Sequence, residues 1–282
     1  MSVAEHAPAK VNLVLRVGPV RADGLHELCS LFASVELEDR VDLHAAPEGE
    51  DVVVCPGVAG ENLASRALRL FREEAPEAEL GPVRVKIDKA IPVAAGLGGG
   101  SADAAAVLRG ANRLAGHPLS GQDLHALAVR LGSDVPSQLR PGHAIVTGGG
   151  DLVEPVALQA IDLVLVPQER GLATGEVYRE LDRLRAAAGE IAPPAALDPG
   201  PLRELAGHTG LQLATALGND LEAAALSLRP ELAEGLAALE RRGALAARVT
   251  GSGPTLFGVF ASAREAEDAA RELPGATTTR TR

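Results

Sequence analysis

The sequence has few of the residues that mark several large protein classes. Its two cysteines are too few for a disulfide framework or a cysteine zinc site. Its seven histidines form no H-x-x-x-H pair and no Cys/His cluster, so a transition metal held by the protein is not expected. No apolar run approaches the ~18 residues that cross a bilayer, and the first residues lack the apolar region of a signal peptide. These absences predict a soluble, cytoplasmic protein.

Aromatic residues and lysines are also scarce. Four phenylalanines, one tyrosine and no tryptophan are too few to build a stacking platform for single-stranded nucleic acid. The net charge of −11 repels nucleic acid and anionic membranes. The three lysines are Lys10, Lys86 and Lys89, so a lysine near any candidate site is informative. The composition predicts neither a nucleic-acid nor a membrane partner.

What the sequence does contain is a glycine-rich stretch at residues 91–106, IPVAAGLGGGSADAAA. Four glycines within five residues allow positive φ angles and a close approach to a ligand, and the Ser- and Ala-rich run behind them predicts a helix start. Successive N–H groups and the positive end of a helix suit nucleotide phosphates. An alternating strand at residues 83–88 precedes the loop, and apolar residues at helical spacing follow it. This setting favours an anion-binding loop over a mobile surface loop.

Two common nucleotide-binding motifs do not fit this stretch. A Walker A loop requires a lysine after its last glycine, but Gly100 is followed directly by Ser101. A dinucleotide motif requires a third glycine where Ser101 stands and an acidic residue that closes a strand about 20 positions on, and no acidic residue closes a strand there. The loop therefore predicts neither a P-loop NTPase nor a dinucleotide-binding fold.

Other polar candidates are ambiguous on local pattern alone. Residues 9–18 alternate as a strand, which places Lys10 and Asn12 on one face about 6–7 Å apart. A solvated strand face is the simpler interpretation of that pair. Asp134, in the turn Gly-Ser-Asp-Val-Pro, is either a rigidly held carboxylate or an ordinary Asx-turn or N-cap residue. His26, after an Asp-Gly turn, carries little information by itself.

The organisation along the chain predicts two domains, 1–153 and 154–282, because the local pattern weakens near Glu154. Residues 61–75 predict an amphipathic helix, and Asp123 is expected to cap another helix. A second glycine-rich turn occupies residues 250–255. Residues 277–282 are expected to form a frayed tail.

Taken together and in order, four motifs resemble the GHMP kinase superfamily, which includes galactose, homoserine, mevalonate and phosphomevalonate kinases. They are PAKVNL at residues 8–13, the glycine loop at 96–105, LGSDVP at 131–136 and GSGPT at 251–255. The opening motif and R-x-D-G-x-H-E-L at 21–28 are most similar to those members that phosphorylate a methylerythritol unit carrying a cytidine diphosphate. The resemblance spans nearly the whole chain.

The resemblance implies a two-domain α+β fold with the active site in the cleft between the domains. It also implies phosphorylation of a 2-hydroxyl by ATP with Mg²⁺, on a small substrate that is a cytidine diphosphate sugar alcohol, by a monomer or weak homodimer. Asp134 looks like the catalytic aspartate and Lys10 its partner. The chemistry fits, because a carboxylate can accept or orient the proton of an alcohol while an ammonium polarises the same oxygen.

By the same resemblance, the glycine loop would hold the ATP phosphates through its backbone, with Ser101 as a phosphate or Mg²⁺ contact, and the 251–255 turn would brace it. Asp103 would either touch Mg²⁺ or cap the helix, and capping is favoured. The loop residues are Pro92, Val93, Ala94, Ala95, Gly96, Leu97, Gly98, Gly99, Gly100, Ser101 and Ala102.

Asn12, His26 and Tyr178 would bind the cytidine end of the substrate. One departure is Leu25, which stands where this kinase group commonly has an aromatic residue before the histidine. Alternatives remain open: another GHMP small-molecule kinase of homoserine or mevalonate type, a catalytically silent nucleotide-binding member, or, most weakly given the negative charge, a nucleic-acid-binding module.

Overall fold

The computed structural model describes residues 1–58, 60, 62–190 and 196–282. Helices and sheets are mixed, as predicted, and the chain divides into two compact units. The first unit comprises Met1–Ala9, Leu37–Val93 and Gly98–Pro141. The second comprises Lys10–Glu36, Ala94–Leu97 and Gly142–Arg282. The units interleave along the chain, and the domain boundary near residue 154 stays a prediction.

The strands are β1 (Ser2–Val20), β2 (His26–Ala45), β3 (Val52–Val54), β4 (Val83–Asp88), β5 (Ala144–Gly148), β6 (Leu152–Pro155), β7 (Asp162–Val166), β8 (Gly218–Asn219), β9 (Ala246–Val249), β10 (Leu256–Phe260) and β11 (Thr277–Arg280). The helices are α1 (Leu63–Glu74), α2 (Gly99–Leu114), α3 (Gly121–Leu131), α4 (Val135–Gln138), α5 (Thr174–Ala188), α6 (Gly200–Ala206), α7 (Gly210–Ala216), α8 (Glu222–Leu228), α9 (Leu232–Arg241) and α10 (Ala263–Arg271).

The first unit packs helices α1 to α4 against one face of a sheet. Its strand order is β3-β4-β2-β1, with β2 antiparallel to β4 in the register Arg40↔Asp88 and β3 parallel to β4. Burial along β4 alternates strictly, which confirms the period-two pattern seen in the sequence. The buried residues of β4 join α2, α1 and α3 in one hydrophobic core that includes Phe71 and Leu108.

Helix starts in this unit use side-chain caps at two places. Asn62 caps α1 by accepting a hydrogen bond from the Ser65 N–H at 2.9 Å, and Glu61 of the predicted helix lies outside the described residues. Ser120, and not Asp123 as expected, is the N-cap of α3. Asp123 is the third helical residue and completes a capping box with Ser120. Helix α3 is therefore present as predicted, but its N-cap lies three residues before the predicted one.

The second unit contains a separate four-stranded antiparallel sheet of order β11-β7-β10-β9. In its centre Leu256 of β10 faces Val166 of β7 on one side and Val249 of β9 on the other. The part of β2 in this unit pairs with β5, and β1 runs parallel to β8 in the register Val14↔Gly218. Within the described residues no helix is long and apolar enough to cross a membrane.

The expected frayed tail at residues 277–282 is wrong. Thr277–Arg280 form β11, antiparallel to β7, and the next residue, Thr281, accepts a hydrogen bond from the Ile161 N–H at 2.9 Å. β-branched threonines fit a pleated strand well, but without alternating apolar residues they leave no periodic signal. Thr281 is almost fully buried.

Candidate active site

The glycine loop ends in a helix start that is left without a side-chain cap. Ala94, Gly96 and Gly98 have φ angles of 56°, 80° and 72°, so the backbone turns through the left-handed region three times before α2 begins. Gly98 is the N-cap of α2, and in the described part of the chain no side chain caps it. Because the first N–H groups of a helix have no intrahelical partners, this end can accept an anion.

The 251–255 turn braces this loop within the second unit, as the resemblance implies. The Thr255 N–H donates to the Ala95 carbonyl at 3.3 Å. A Cβ atom on Gly96 would stand 2.3 Å from the Gly253 carbonyl oxygen, well inside contact distance. Gly96 is therefore required both by its positive φ and by the close approach of the turn.

Lys10 and Asn12 are brought together as their spacing predicts. The Lys10 ammonium donates to the Asn12 Oδ1 at 2.8 Å and lies 4.5 Å from the centre of the Phe32 ring. The Asn12 Nδ2 donates to the Ser30 hydroxyl at 2.9 Å, and the Asn12 N–H donates to the Thr250 hydroxyl at 2.9 Å. Both side chains are buried, so the interpretation as a solvated strand face is wrong. The network fixes the direction of the Lys10 side chain.

Asp134 stands immediately before α4, the four-residue helix stiffened by Pro136. The Ser137 hydroxyl donates to the Asp134 backbone carbonyl at 2.9 Å, which closes the turn around it. The Asp134 side chain makes no capping hydrogen bond to α4. Asp134 belongs to the first unit and Lys10 to the second, and their partnership stays a prediction.

His26 and Tyr178 form a ring pair with centroids 4.9 Å apart and planes inclined by 35°. Asp182, one turn beyond Tyr178 on α5, places its Oδ1 3.0 Å from the His26 Nε2. Leu25, the departure from the family pattern, has 48% of its surface exposed. The structure thus brings together His26 and Tyr178, the two residues expected to bind the cytidine end of the substrate. It also adds the Asp182 carboxylate, which orients the His26 ring.

A buried charge cluster beside α2 was missed by the sequence analysis. The Lys89 ammonium bridges the Asp103 carboxylate, at 2.8 Å, and the Asp39 carboxylate. The second Asp39 oxygen accepts the N–H groups of Ala90 and Ile91 at 2.6 and 2.8 Å. A Cβ atom on Gly99 would stand 3.2 Å from the Lys89 Nζ, so the cluster packs against the first residue of α2.

The expectation that Asp103 caps α2 is wrong. Asp103 lies inside the helix and pairs with Lys89, and its other carboxylate oxygen is buried with no hydrogen-bond partner in the described residues. Burial raises the pKa of Asp103 to about 6 against the opposing pull of Lys89. Burial lowers the pKa of Lys89, but hydrogen bonds to Asp103 and Asp39 outweigh it and leave the pKa above its ordinary value.

Comparison with known protein families identifies both halves of the chain. Residues 62–143 match the family described as GHMP kinases N terminal domain, and residues 196–277 match GHMP kinases C terminal. A protein named 4-diphosphocytidyl-2-C-methyl-D-erythritol kinase from Mycolicibacterium gilvum is 44% identical, covering 99% of this chain and 88% of that protein. The protein of the same name from Anaeromyxobacter dehalogenans is also 44% identical, covering 98% of this chain and 86% of that protein.

Solved structures agree with this assignment. A crystal structure of 4-(cytidine 5'-diphospho)-2C-methyl-D-erythritol kinase superposes with a TM-score of 0.78 at 33% identity, covering 99% of this chain and 100% of that one. The mevalonate kinase of Methanococcus jannaschii shares the fold, with a TM-score of 0.70 at 12% identity over 100% of this chain and 99% of that one. On its matched domains and its full-length relatives, the chain belongs to the GHMP kinase family.

Proposed function

We propose that this kinase transfers the terminal phosphoryl group of ATP to the 2-hydroxyl of 4-diphosphocytidyl-2-C-methyl-D-erythritol. The observation that carries the proposal is the 44% identity, over nearly the full chain, to relatives named for that substrate. Two pairs of the residues expected at the site, Lys10 with Asn12 and His26 with Tyr178, are in contact.

The loop of residues 92–102 is proposed to hold the ATP phosphates. Positive φ angles at Ala94, Gly96 and Gly98 turn the backbone into the uncapped start of α2, where N–H groups and the helix dipole both favour phosphate oxygens. This arrangement needs no lysine within the loop. It accounts for phosphate binding by a motif unlike Walker A.

The residues present fit a Mg²⁺ ion that arrives with ATP. Among the described residues no group of three His, Cys, Asp or Glu side chains could form a metal cage. Mg²⁺ commonly keeps water and substrate phosphate oxygens as ligands and needs few from the protein. Ser101, in the first turn of α2, would supply a hydroxyl oxygen to it. When bound, the ion neutralises phosphate charge.

Lys10 and Asp134 are proposed to act on the acceptor hydroxyl. An alcohol is a weak nucleophile at neutral pH, so Asp134 accepts or orients its proton while the Lys10 ammonium stabilises negative charge on the oxygen and the transferring phosphoryl group. Asn12 directs the ammonium through the 2.8 Å hydrogen bond. The turn before α4, closed by the Ser137 hydroxyl, positions the Asp134 backbone.

His26, Tyr178 and Asn12 are proposed to bind the cytidine end. Tyr178 offers an aromatic face for the base, and the ring of His26 is oriented by Asp182. The exposed Leu25 offers an aliphatic surface instead of a second ring. The missing stacking contact weakens base binding by about 1 kcal/mol and leaves the phosphoryl transfer itself unaffected.

A coupled ADP-release assay with ATP and Mg²⁺ tests the proposal, with the diphosphocytidyl substrate, homoserine and mevalonate offered in parallel. We expect turnover on the first acceptor alone, and loss of that turnover in D134N. The matched control is D123N, which removes a carboxylate from the exposed start of α3 and keeps full activity. Turnover on homoserine or mevalonate instead would overturn the substrate assignment, and ATP binding without turnover would indicate a silent member.

A further inference from the structure

Arg109, near the middle of α2, makes three strong contacts with two other segments of the first unit. Its Nε donates to the Glu5 carboxylate at 2.9 Å, and its Nη2 donates to the His6 backbone carbonyl at 2.6 Å. Its Nη1 donates to the Gln138 backbone carbonyl, also at 2.6 Å. The guanidinium therefore joins α2 to the start of β1 and to the end of α4.

The Gln138 carbonyl is a group that needs such a donor. The last carbonyls of a helix have no intrahelical partner, and Gln138 is buried, so leaving its carbonyl unpaired would carry a desolvation penalty. Arg109 supplies this donor at the end of α4.

The opposite end of α4 carries Asp134. A helix rises 1.5 Å per residue, so Asp134 lies only about 6 Å along the axis from the carbonyl that Arg109 holds. The intervening Val135 is fully buried in the core shared with Leu108 of α2. With one turn of helix, α4 has no length over which to absorb a shift, and a displacement at Gln138 is passed to Asp134.

We propose that Arg109 is a positioning residue for the phosphoryl transfer, because it fixes the end of α4 and thereby sets where the Asp134 carboxylate stands. The inference rests on the proposed function, in which Asp134 acts on the acceptor hydroxyl. Arginine suits this task and lysine does not. The planar guanidinium presents several donors in fixed directions and reaches three acceptors at once, whereas an ammonium is a single flexible point.

The chain offers a matched control one turn further along α2. Arg113 also pairs with Glu5, its Nη2 lying 3.0 Å from the second carboxylate oxygen, and none of the contacts described for it involves α4. R109K and R113K are therefore the same chemical change on the same helix and toward the same acid. Both keep a positive charge near Glu5, and R109K alone loses the fixed bridge to Gln138.

The first measurement is steady-state kinetics of both variants with ATP and the diphosphocytidyl substrate. We expect kcat of R109K to fall on the order of tenfold while KM for ATP stays within about twofold, because the displaced group acts in the chemical step. R113K should keep the wild-type kcat. The kcat values are referred to the folded fraction of each variant, measured by circular dichroism, because a loss of stability alone lowers the active fraction and leaves the kcat of the folded enzyme unchanged. Full kcat in R109K, or equal losses in both variants, would overturn the proposal.

The second measurement is hydrogen exchange of the backbone amides of residues 134–139, followed by mass spectrometry. We expect faster exchange there in R109K than in R113K or the wild type. Equal exchange in all three proteins would also overturn the proposal. This readout needs no turnover, so a wild-type protein inactive on every acceptor would refute the proposed function while the exchange data still decide the role of Arg109.

Discussion

Helices α2 and α3, both in the first unit, begin in opposite ways. At α3 the Ser120 hydroxyl accepts from the Asp123 N–H, and the Asp123 carboxylate accepts the Ser120 N–H at 2.9 Å. At α2 the N-cap is Gly98 in the left-handed region, without a side-chain cap among the described residues. One helix start is closed by its own side chains, and the other has no side-chain cap of this kind.

The two helices also treat their aspartates differently. Hydrogen bonds from Ser120 lower the pKa of the exposed Asp123, which is a stabilised anion at the end of α3. Burial raises the pKa of Asp103, one turn into α2. The aspartate at the start of α3 therefore stabilises that helix. The start of α2 has no side-chain cap among the described residues, and the aspartate one turn inside it is buried at a cost in free energy.

The largest expected effect comes from adding a side chain at Gly96, in the loop that leads into α2. G96A would place a methyl group 2.3 Å from the Gly253 carbonyl oxygen and force the loop away from the turn. We expect kcat/KM for ATP to fall by roughly 100-fold. The control is G116A, since Gly116 has φ +78° but a Cβ atom added there would meet nothing within 4 Å. Similar losses in the two variants would show that backbone strain, and not the close approach, is responsible.

A charge placed at Gly98, the N-cap of α2, should have the next largest effect. G98D puts a carboxylate where the phosphates are expected, and G98N puts a neutral side chain of the same shape there, with Asn tolerating the left-handed region. We expect KM for ATP to be about tenfold higher in G98D than in G98N, since repulsion replaces attraction at the helix dipole. The difference in KM between the two variants should become smaller at high salt. Equal KM values would show that α2 does not bind the phosphates.

Removing the Ser120 cap of α3 should lower the stability of the protein without changing its binding of ATP. S120A deletes the hydroxyl that accepts from the Asp123 N–H. Urea unfolding should show a loss of about 1 kcal/mol, while KM for ATP is unchanged. A changed KM would mean that the start of α3 also contributes to nucleotide binding.

The last effect is seen only in the pH dependence of stability. The folded protein keeps a proton on Asp103 up to about pH 6, above the ordinary value of 3.8 for the unfolded chain. Between these values the folded state binds more protons, so stability falls as pH rises. Asp123 acts with the opposite sign, because its lowered pKa adds stability that is lost on acidification. The unfolding free energy of D103N should therefore fall less than that of the wild type as the pH rises from 4 to 6.5, and D123N should not show this effect. Parallel curves for wild type and D103N would contradict the buried-carboxylate account.

Local patterns in the sequence predicted the elements that frame the site. Period-two alternation correctly placed Lys10 and Asn12 on one strand face, and the glycine run correctly preceded a helix. The terminal strand β11 escaped because its partner β7 lies more than 100 residues earlier, and pairing at that range leaves no local pattern.

The Lys89 cluster escaped for a similar reason. Asp39 comes from β2, Lys89 directly follows β4 and Asp103 comes from α2, so the three charges meet only after the sheet and helix have packed. A carboxylate near a helix start is usually a cap, and that local rule gave the wrong role for Asp103. The contacts of Arg109 are equally distant in sequence, with His6 and Gln138 on either side of it.

The interleaving of the two units has a consequence for synthesis of the chain. The first unit has all its residues once Pro141 has left the ribosome, and it can close its core while translation continues. Residues 10–36 emerge early but belong to the second unit, whose last residue is Arg282. The part of β1 that carries Lys10 and Asn12 therefore waits until β8 and Thr250 have been synthesised before these partners exist.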